Sequence, residues 1–554
     1  MSNGTELRSL ADRMFSNMGS WPELCQEIAY FFAPQKADFT DEIYLGEEFA
    51  DHITDPLPIS MARDLGDAVG TMLRSGDWYR VSVNDPELED DNLIRRHLDF
   101  MTDVGRNMLY DRRANFRRMA KQHEFDFVTF GVGVSSITLN KRLDGFVFKN
   151  HHPRDCAYAE NDEGHIDRIA CKFKATARKI YDQFKDVRQA TIPEDIKTRA
   201  TGPNPDDEVE YYHVVVPIDM YDPETRGFPK DAKFASVYIS NEGDIIHEMP
   251  AYEFPYIVSR WRTVRTWGPY AFSPATMTAL PHARMLQSCM LSFIEAGEKA
   301  VNPPLVATTE AISSPIDLQG GGVTWVDSEY DERTGAPLRP LDLGKNVPLN
   351  EAMLDSFHRL MADTMYISKL NLPGSANRGE TAYEVSQIVQ QNIRQLQPIF
   401  EPIEDEIITQ YLDRIYSTGL RMGAFGPIDF FPEELQGREI TYSFNNPLTE
   451  ERERKKVAQF QETAGVLRIG AELDPSLVLE TDPVKMMRDA IQGIGAPADW
   501  MQPAELAAQQ REAQRNAQAQ QAQMQQLGQV AEVAKMGGEA AQAIEGAMNG
   551  NGGV

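Results

Sequence analysis

The sequence predicts an α+β fold that is predominantly α, and three observations carry that expectation. Segments with apolar residues at three- and four-residue spacing occupy much of the chain, including 21–32, 93–127 and 353–361. Between residues 135 and 265, short runs rich in Val, Ile, Tyr and Phe alternate with turn signals, the mark of a β-rich module. The block Trp267–Leu420 then reads as a helix, a turn-rich insert, a second helix, a short Gly/Pro loop and a long third helix. With 554 residues, of which 42% are hydrophobic, the chain exceeds one core, and roughly three or four domains are expected.

In chain order, residues 1–125 are expected to be mostly helical, with Trp21–Phe32 and Leu93–Phe127 the clearest segments and Met61–Leu73 between them. Trp78–Val83 reads as a strand, and Phe127–Gly133 either extends the preceding helix or begins a strand. Strands are expected at Ser136–Leu139, Phe146–Lys149, Ile169–Phe173, Tyr211–Val216, Ala235–Ile239 and Tyr256–Trp261, with a short helix at Arg178–Phe184. Asn161–Gly164 and Asn241–Asp244 are turn signals, and such short connections imply antiparallel pairing.

Ser273-Pro274 supplies an N-cap residue and a proline at the first helical position. Met277, Leu280, Leu286, Met290 and Ile294 follow as an apolar stripe. After the insert Asn302–Pro348, Asn350 opens a return helix whose stripe is Met353, Leu354, Phe357, Leu360 and Met361. Thr381-Ala382-Tyr383-Glu384 has capping-box spacing, which makes Ser368–Glu380 a loop and starts a helix that Pro398 and Pro402 should kink. Phe425–Phe444 is expected as short strands and Glu450–Leu467 as a charged helix. Beyond Pro503 the chain turns to Gln and Ala, which favour helix but lack the apolar mass for a core.

The 84 acidic and 55 basic residues leave a net charge of −29, which argues against tight wrapping of nucleic acid. It is compatible with a surface along which a polyanion slides. Cys25, Cys156, Cys171 and Cys289 show no metal or redox spacing and read as buried thiols of a cytosolically folded, non-secreted chain. No phosphate loop, His-Glu-x-x-His helix or Gly-x-Ser-x-Gly elbow occurs. Gly131-Val132-Gly133 reads as tight packing, and His151, His152 and Cys156 as structural. Asp327, Glu329, Asp331 and Glu332 lack the glycine and terminal glutamate of a calcium loop. No catalytic residue, metal or cofactor is expected. The loop Ser368–Glu380 is the most suggestive short segment, because it sets Lys369 and Arg378 beside Asn371 and Asn377 among glycines.

Across its length the chain resembles the head-to-tail connector, or portal, proteins of short-tailed bacteriophages. The resemblance rests on Trp21-Pro22-Glu23-Leu24 through Pro34, Asp77–Val81, His152–Asp155 with Asn161–Ile169, and above all Gly268-Pro269, Ala279-Leu280-Pro281 and Lys299–Leu305 in that order. It implies a portal fold: 1–270 as wing, 271–298 and 349–367 as stem helices, 299–348 as clip, 368–380 as tunnel loop, 381–467 as the wing's long kinked helix and strands, and 468–554 as crown and Gln/Ala-rich barrel or tail. It also implies a non-enzymatic ring, usually of twelve, at one capsid vertex of the virion, assembled in the host cytoplasm. The implied partners are double-stranded DNA in the channel, major capsid protein and scaffold, the terminase large subunit, tail adaptor and nozzle proteins, and internal core or ejection proteins. Lys369, Asn371, Asn377 and Arg378 would then face DNA. The competing readings are another virion structural protein, such as a tail tube or internal ejection protein, and a packaging enzyme, which the missing phosphate loop disfavours.

Overall fold

The computed structural model describes residues 4–44, 46–74, 76–85, 88, 91–140, 142–187, 190–221, 227–264, 266, 268–301, 305–307, 316, 325, 338–340, 347–370, 402–444, 459–468, 483–493, 507 and 509–521. Among the described residues helix accounts for 54% and strand for 20%, so the fold is mixed and helix-dominated. The chain divides into two compact units, residues 1–78 with 105–424, and residues 79–104 with 425–554.

In chain order, α1 (Gly4–Ser16), α2 (Trp21–Phe32) and α3 (Leu57–Leu73) precede β1 (Tyr79–Val83), and α4 (Asn92–Tyr110) and α5 (Phe116–Phe130) follow. Next come β2 (Val132–Leu139), β3 (Phe146–His151), β4 (Cys156–Glu160), β5 (Ile166–Thr176), α6 (Ala177–Phe184), α7 (Glu194–Thr201), β6 (Glu208–Pro217), β7 (Phe234–Ser240), β8 (Ile245–Ala251) and β9 (Tyr256–Arg260). The segment expected as one helix from Leu93 is two, because Asn115 takes φ 61 in the turn after α4. Asparagine tolerates that left-handed conformation better than most residues. Strands β4 and β8 and helix α7 were not expected: β4 is short, and Pro250 in β8 argues against a strand except near a sheet edge, where β8 lies.

In the first unit, β4-β5-β6-β7-β8 form an antiparallel sheet, and β3-β2-β9 a second one. Strand β6 is buried without alternation from Tyr211 to Val216, which requires cover on both faces. Successive side chains point to opposite faces. Tyr212 meets α1, where Arg8 lies over its ring at 4.0 Å. Tyr211 joins Ile180, Phe184, Ile192 and Ile196 beneath α6 and α7.

Helices α3 and α5 meet closely at Gly70, where a Cβ would fall on the Glu124 carboxylate. That space admits the bidentate Arg74–Glu124 pair, whose Nη2–Oε2 bond is 2.9 Å. Helix α5 ends at Gly131 with φ 81, and β2 begins at once. A Cβ there would meet the backbone of Phe272 and Ser273 at 2.7–2.8 Å, so Gly131 serves tight packing, as its sequence context suggested. The thiols are less uniform than expected: Cys25, Cys156 and Cys171 are buried, but Cys289 is only half-buried. Cys156 and Cys171, fifteen residues apart, sit directly opposite on β4 and β5.

The second unit pairs β1 with Ile440–Phe444 in antiparallel register, Tyr79 opposite Phe444. Thr102 anchors α4 beneath β1, accepting from Val81 N at 3.0 Å and donating to Leu98 O at 2.8 Å. Of Phe425–Phe444, expected as several strands, only Ile440–Phe444 is one, since the prolines before it direct 3-10 turns. Residues 459–468 and 509–521 are helical, the latter exposed throughout.

His123 and His213 are buried in the first unit and pushed down to about 3, first by desolvation. Arg74 and Lys36 add to the effect at His123, and His151 and His247 at His213. In the unfolded chain an imidazole titrates near ~6.5. The stability each contributes is therefore complete above about pH 6.5 and lost as pH falls toward 3. Between pH 7.5 and 5.5 each should lose roughly 1 kcal/mol, lowering the urea midpoint. An unchanged midpoint would count against neutral burial of both rings. Burial raises Glu124 and Glu406, which gain stability as pH falls and so work against the loss from the imidazoles.

Candidate functional site: a helical hairpin and the turn that follows it

A two-residue ladder, β10 (Arg262–Thr263) with β11 (Ala271–Phe272), delivers the chain to Ser273. Ser273 Oγ accepts from Thr276 N at 3.0 Å and donates to Thr129 O at 2.7 Å, capping the new helix and tying it to α5. Pro274 follows in helical conformation, the arrangement the Ser-Pro pair predicted. The first turns, Ala275–Ala279, are π-helical, and α8 (Leu280–Val301) continues them. At its end β12 (Leu305–Ala307) pairs antiparallel with β13 (Leu338–Pro340), and α9 (Val347–Thr364) returns along α8. Asp327, Glu329, Asp331 and Glu332 lie outside the described residues.

The hairpin is bolted to the rest of the first unit by polar contacts. Gln287, 9% exposed, accepts from Thr54 N and Asp55 N at 2.9 Å each and from Thr54 Oγ1 at 2.7 Å, and donates to Asp55 O at 2.7 Å. Asp55 in turn meets His358 Nε2 on α9 at 2.8 Å. One apolar seam, with Leu280, Leu286, Leu354 and Met361, is buried. The rest of the expected stripes is not. Met277, Ile294, Met353 and Leu360 are 40–47% exposed, beside Met285 and Leu291 at 48–49%.

Helix α9 stops at Tyr366, whose φ is 58. A single helical turn, α10 (Ile367–Leu370), follows, so Ser368 and Lys369 are helical where a loop was expected. Ser368 Oγ donates to Asp363 Oδ1 at 2.5 Å, and Lys369 Nζ lies 5.4 Å from the Tyr366 ring centre, itself stacked on Trp261. Asn371, Asn377 and Arg378, and the helix start at Thr381, lie outside the described residues. The long helix is described from Pro402, which leads into a second π-helical segment, Glu404–Thr409, before α11 (Gln410–Arg421).

Residues 4–501 match the family described as bacteriophage head to tail connecting protein. The chain belongs to that family. Among its relatives are the probable portal protein of Bordetella phage BPP-1, 24% identical over 81% of this chain and 80% of the relative. The portal protein of Salmonella phage epsilon15 is 22% identical over 82% and 81%.

In this head to tail connecting protein the residues weighed for metal binding have other partners. His151 Nε2 meets Ser136 Oγ at 2.7 Å, His152 pairs with Asp38, and Cys156 with Cys171. No group of three or more His, Cys, Asp or Glu side chains arranged to hold a metal occurs among the described residues. One feature escaped the sequence reading: within residues 112–121, Arg112, Arg113, Arg117, Arg118 and Lys121 stand without an acidic residue, all exposed, in a chain of net charge −29. Arg118 and Lys149 share the wall of a cavity of about 450 Å³ with Gln122, Phe173 and Tyr238. Charge patterning alone could have flagged this segment.

Proposed function

We propose that this chain is a portal subunit that closes, about twelve copies together, into a ring at one vertex of the phage capsid. The ring conducts double-stranded DNA during packaging and ejection. It docks the terminase large subunit first and tail adaptor and nozzle proteins afterwards, beside capsid protein, scaffold and internal core proteins, and has no enzymatic activity. The observation that carries this reading is the family match running from residue 4 to 501, through the whole hairpin. The exposed apolar side chains of α8 and α9 support it, because a lone chain gains nothing from leaving Leu291, Ile294, Met353 and Leu360 in water. On this reading residues 271–298 and 349–367 form the stem, residues 299–348 the clip, and residues 368–380, which begin within the helical turn α10, the tunnel loop.

Twelve such chains carry roughly −350 charges, which limits adhesion of phosphates along a bore. Lys369 and Arg378 supply the exceptions, weak and exchangeable phosphate contacts with strong salt dependence. Replacing both by alanine is expected to reduce DNA packaging or retention several-fold without changing assembly. Equal packaging and retention in the double variant would remove the loop from the mechanism.

Native mass and class averages from electron microscopy test the whole reading. A closed ring of roughly 750 kDa, about twelve chains of 62.4 kDa, is expected. A filament, a small ATP-hydrolysing oligomer, or a monomer that stays monomeric beside capsid protein and scaffold would overturn it.

A further inference from the structure

Cys156 on β4 and Cys171 on β5 are direct register partners in an antiparallel pair, both with no exposed surface, their Sγ atoms 3.1 Å apart. Directly opposed residues in such a pair have Cα atoms about 4.5 or 5.5 Å apart. Both spacings fall inside the window of about 4.4–6.8 Å that a disulfide requires. The Cα spacing therefore allows the bond, and closing it requires the Sγ atoms to come together from 3.1 Å to about 2.05 Å. Strand β4 is also the edge of its sheet, paired among the described residues with β5 only, so its ladder opens at less cost than that of an inner strand.

We propose that Cys156 and Cys171 are a site of oxidative cross-linking, reduced while the chain is made and joined by small disulfide oxidants once the particle leaves the cell. One thiol, as thiolate, attacks the small disulfide and releases one small thiol. The second thiolate then attacks the mixed disulfide, forming Sγ–Sγ and releasing the other small thiol. Two protein thiols are oxidised, one small disulfide is reduced to two thiols, and the electrons balance. Burial raises the Cys156 thiol well above its usual range, which suppresses its thiolate in the closed sheet and makes the step slow and dependent on opening of the edge. The closed bond ties the hairpin β4–β5 at the sheet margin, a covalent reinforcement suited to a component that must hold its shape outside the cell. That use rests on the portal reading. The cross-link itself does not.

Trypsin separates the two residues, because cleavage after Arg154, Arg168 and Lys172 leaves Cys156 in peptide 155–168 and Cys171 in peptide 169–172. The native protein would be reduced, freed of reductant, incubated with oxidised glutathione, alkylated in denaturant and mapped without reduction. We expect 155–168 joined to 169–172, with Cys25 and Cys289 alkylated. Recovery of both peptides singly alkylated, or a bond to Cys25 or Cys289 instead, overturns the proposal. The oxidised protein should melt several degrees above the reduced one, and this difference should vanish in Cys171→Ala. A second arm compares the chain in purified virions with the chain in intact cells alkylated before lysis. Linked peptide in virions only is the expected result, and free thiols in virions overturn the extracellular use. Absence of the chain from virions would overturn the portal reading and leave the in-vitro cross-link standing.

Discussion

Gln287→Ala is expected to destabilise the first compact unit by about 3 kcal/mol. The side chain is nearly buried, and its amide serves Thr54 N, Thr54 Oγ1, Asp55 N and Asp55 O at once. Alanine leaves two backbone N–H groups and a carbonyl without that partner in a site with little access to water. Each unsatisfied buried group costs about 1–3 kcal/mol, partly offset where the backbone relaxes. Asp55 also holds His358 on α9, so the loss spreads to both helices. Thermal unfolding should show a decrease of several degrees. Gln287→Met, which keeps most of the volume, should retain most of the loss. A methionine variant as stable as the parent would mean that packing, not hydrogen bonding, fastens the hairpin.

Joint substitution Leu291→Asp and Ile294→Asp is expected to abolish ring assembly while leaving the single chain folded. The two residues lie three apart on α8, on one face, and are 49% and 40% exposed. In an isolated chain the replacements put carboxylates into water, where the cost is small. In a ring that covers this face, each loses about 1 kcal/mol of apolar burial and adds the larger penalty of a desolvated charge. A penalty of about 3 kcal/mol per interface weakens each contact more than a hundredfold, and a closed ring repeats it at every interface. Native mass should show monomer, with a melting temperature close to that of the unassembled parent. Intact rings from the double variant would place this face outside the subunit interface.

Much of the first unit is legible in the sequence. Apolar spacing locates α2, α3 and both hairpin helices. Runs of β-branched and aromatic residues locate β2, β3, β5, β6, β7 and β9, because such side chains suit a pleated, partly buried surface, and β6, buried from Tyr211 to Val216, is apolar along most of that run. The Ser273-Pro274 cap is legible because capping is local chemistry. Strand β4 and the break at Asn115 are not, since Cys-Ala-Tyr-Ala-Glu has no periodicity to show and a left-handed residue is chosen by the packing on either side. The helical turn at Ile367–Leu370 reads as loop, because a lone turn stabilised by Asp363 and Tyr366 leaves no pattern of its own. Of the four residues named for the DNA-facing loop, only Lys369 lies among the described residues.

By itself the sequence determined the helical hairpin with its intervening segment, the antiparallel β-rich module, the strong acidity and, through the order of its short motifs, the connector family. Those properties are written in local spacing and in composition, which act before the chain is folded. Tertiary structure alone decided that Gln287 and Asp55 bolt the hairpin to the loop before α3, and that Met277 and Ile294 of one apolar stripe and Met353 and Leu360 of the other stay exposed. It alone decided that Arg118 and Lys149 share a cavity and that Cys156 meets Cys171. Each of these is a meeting of residues on separate elements, or a face left uncovered by them. Contacts of that kind arise only when sheets pair and helices settle in register, so no local pattern encodes them.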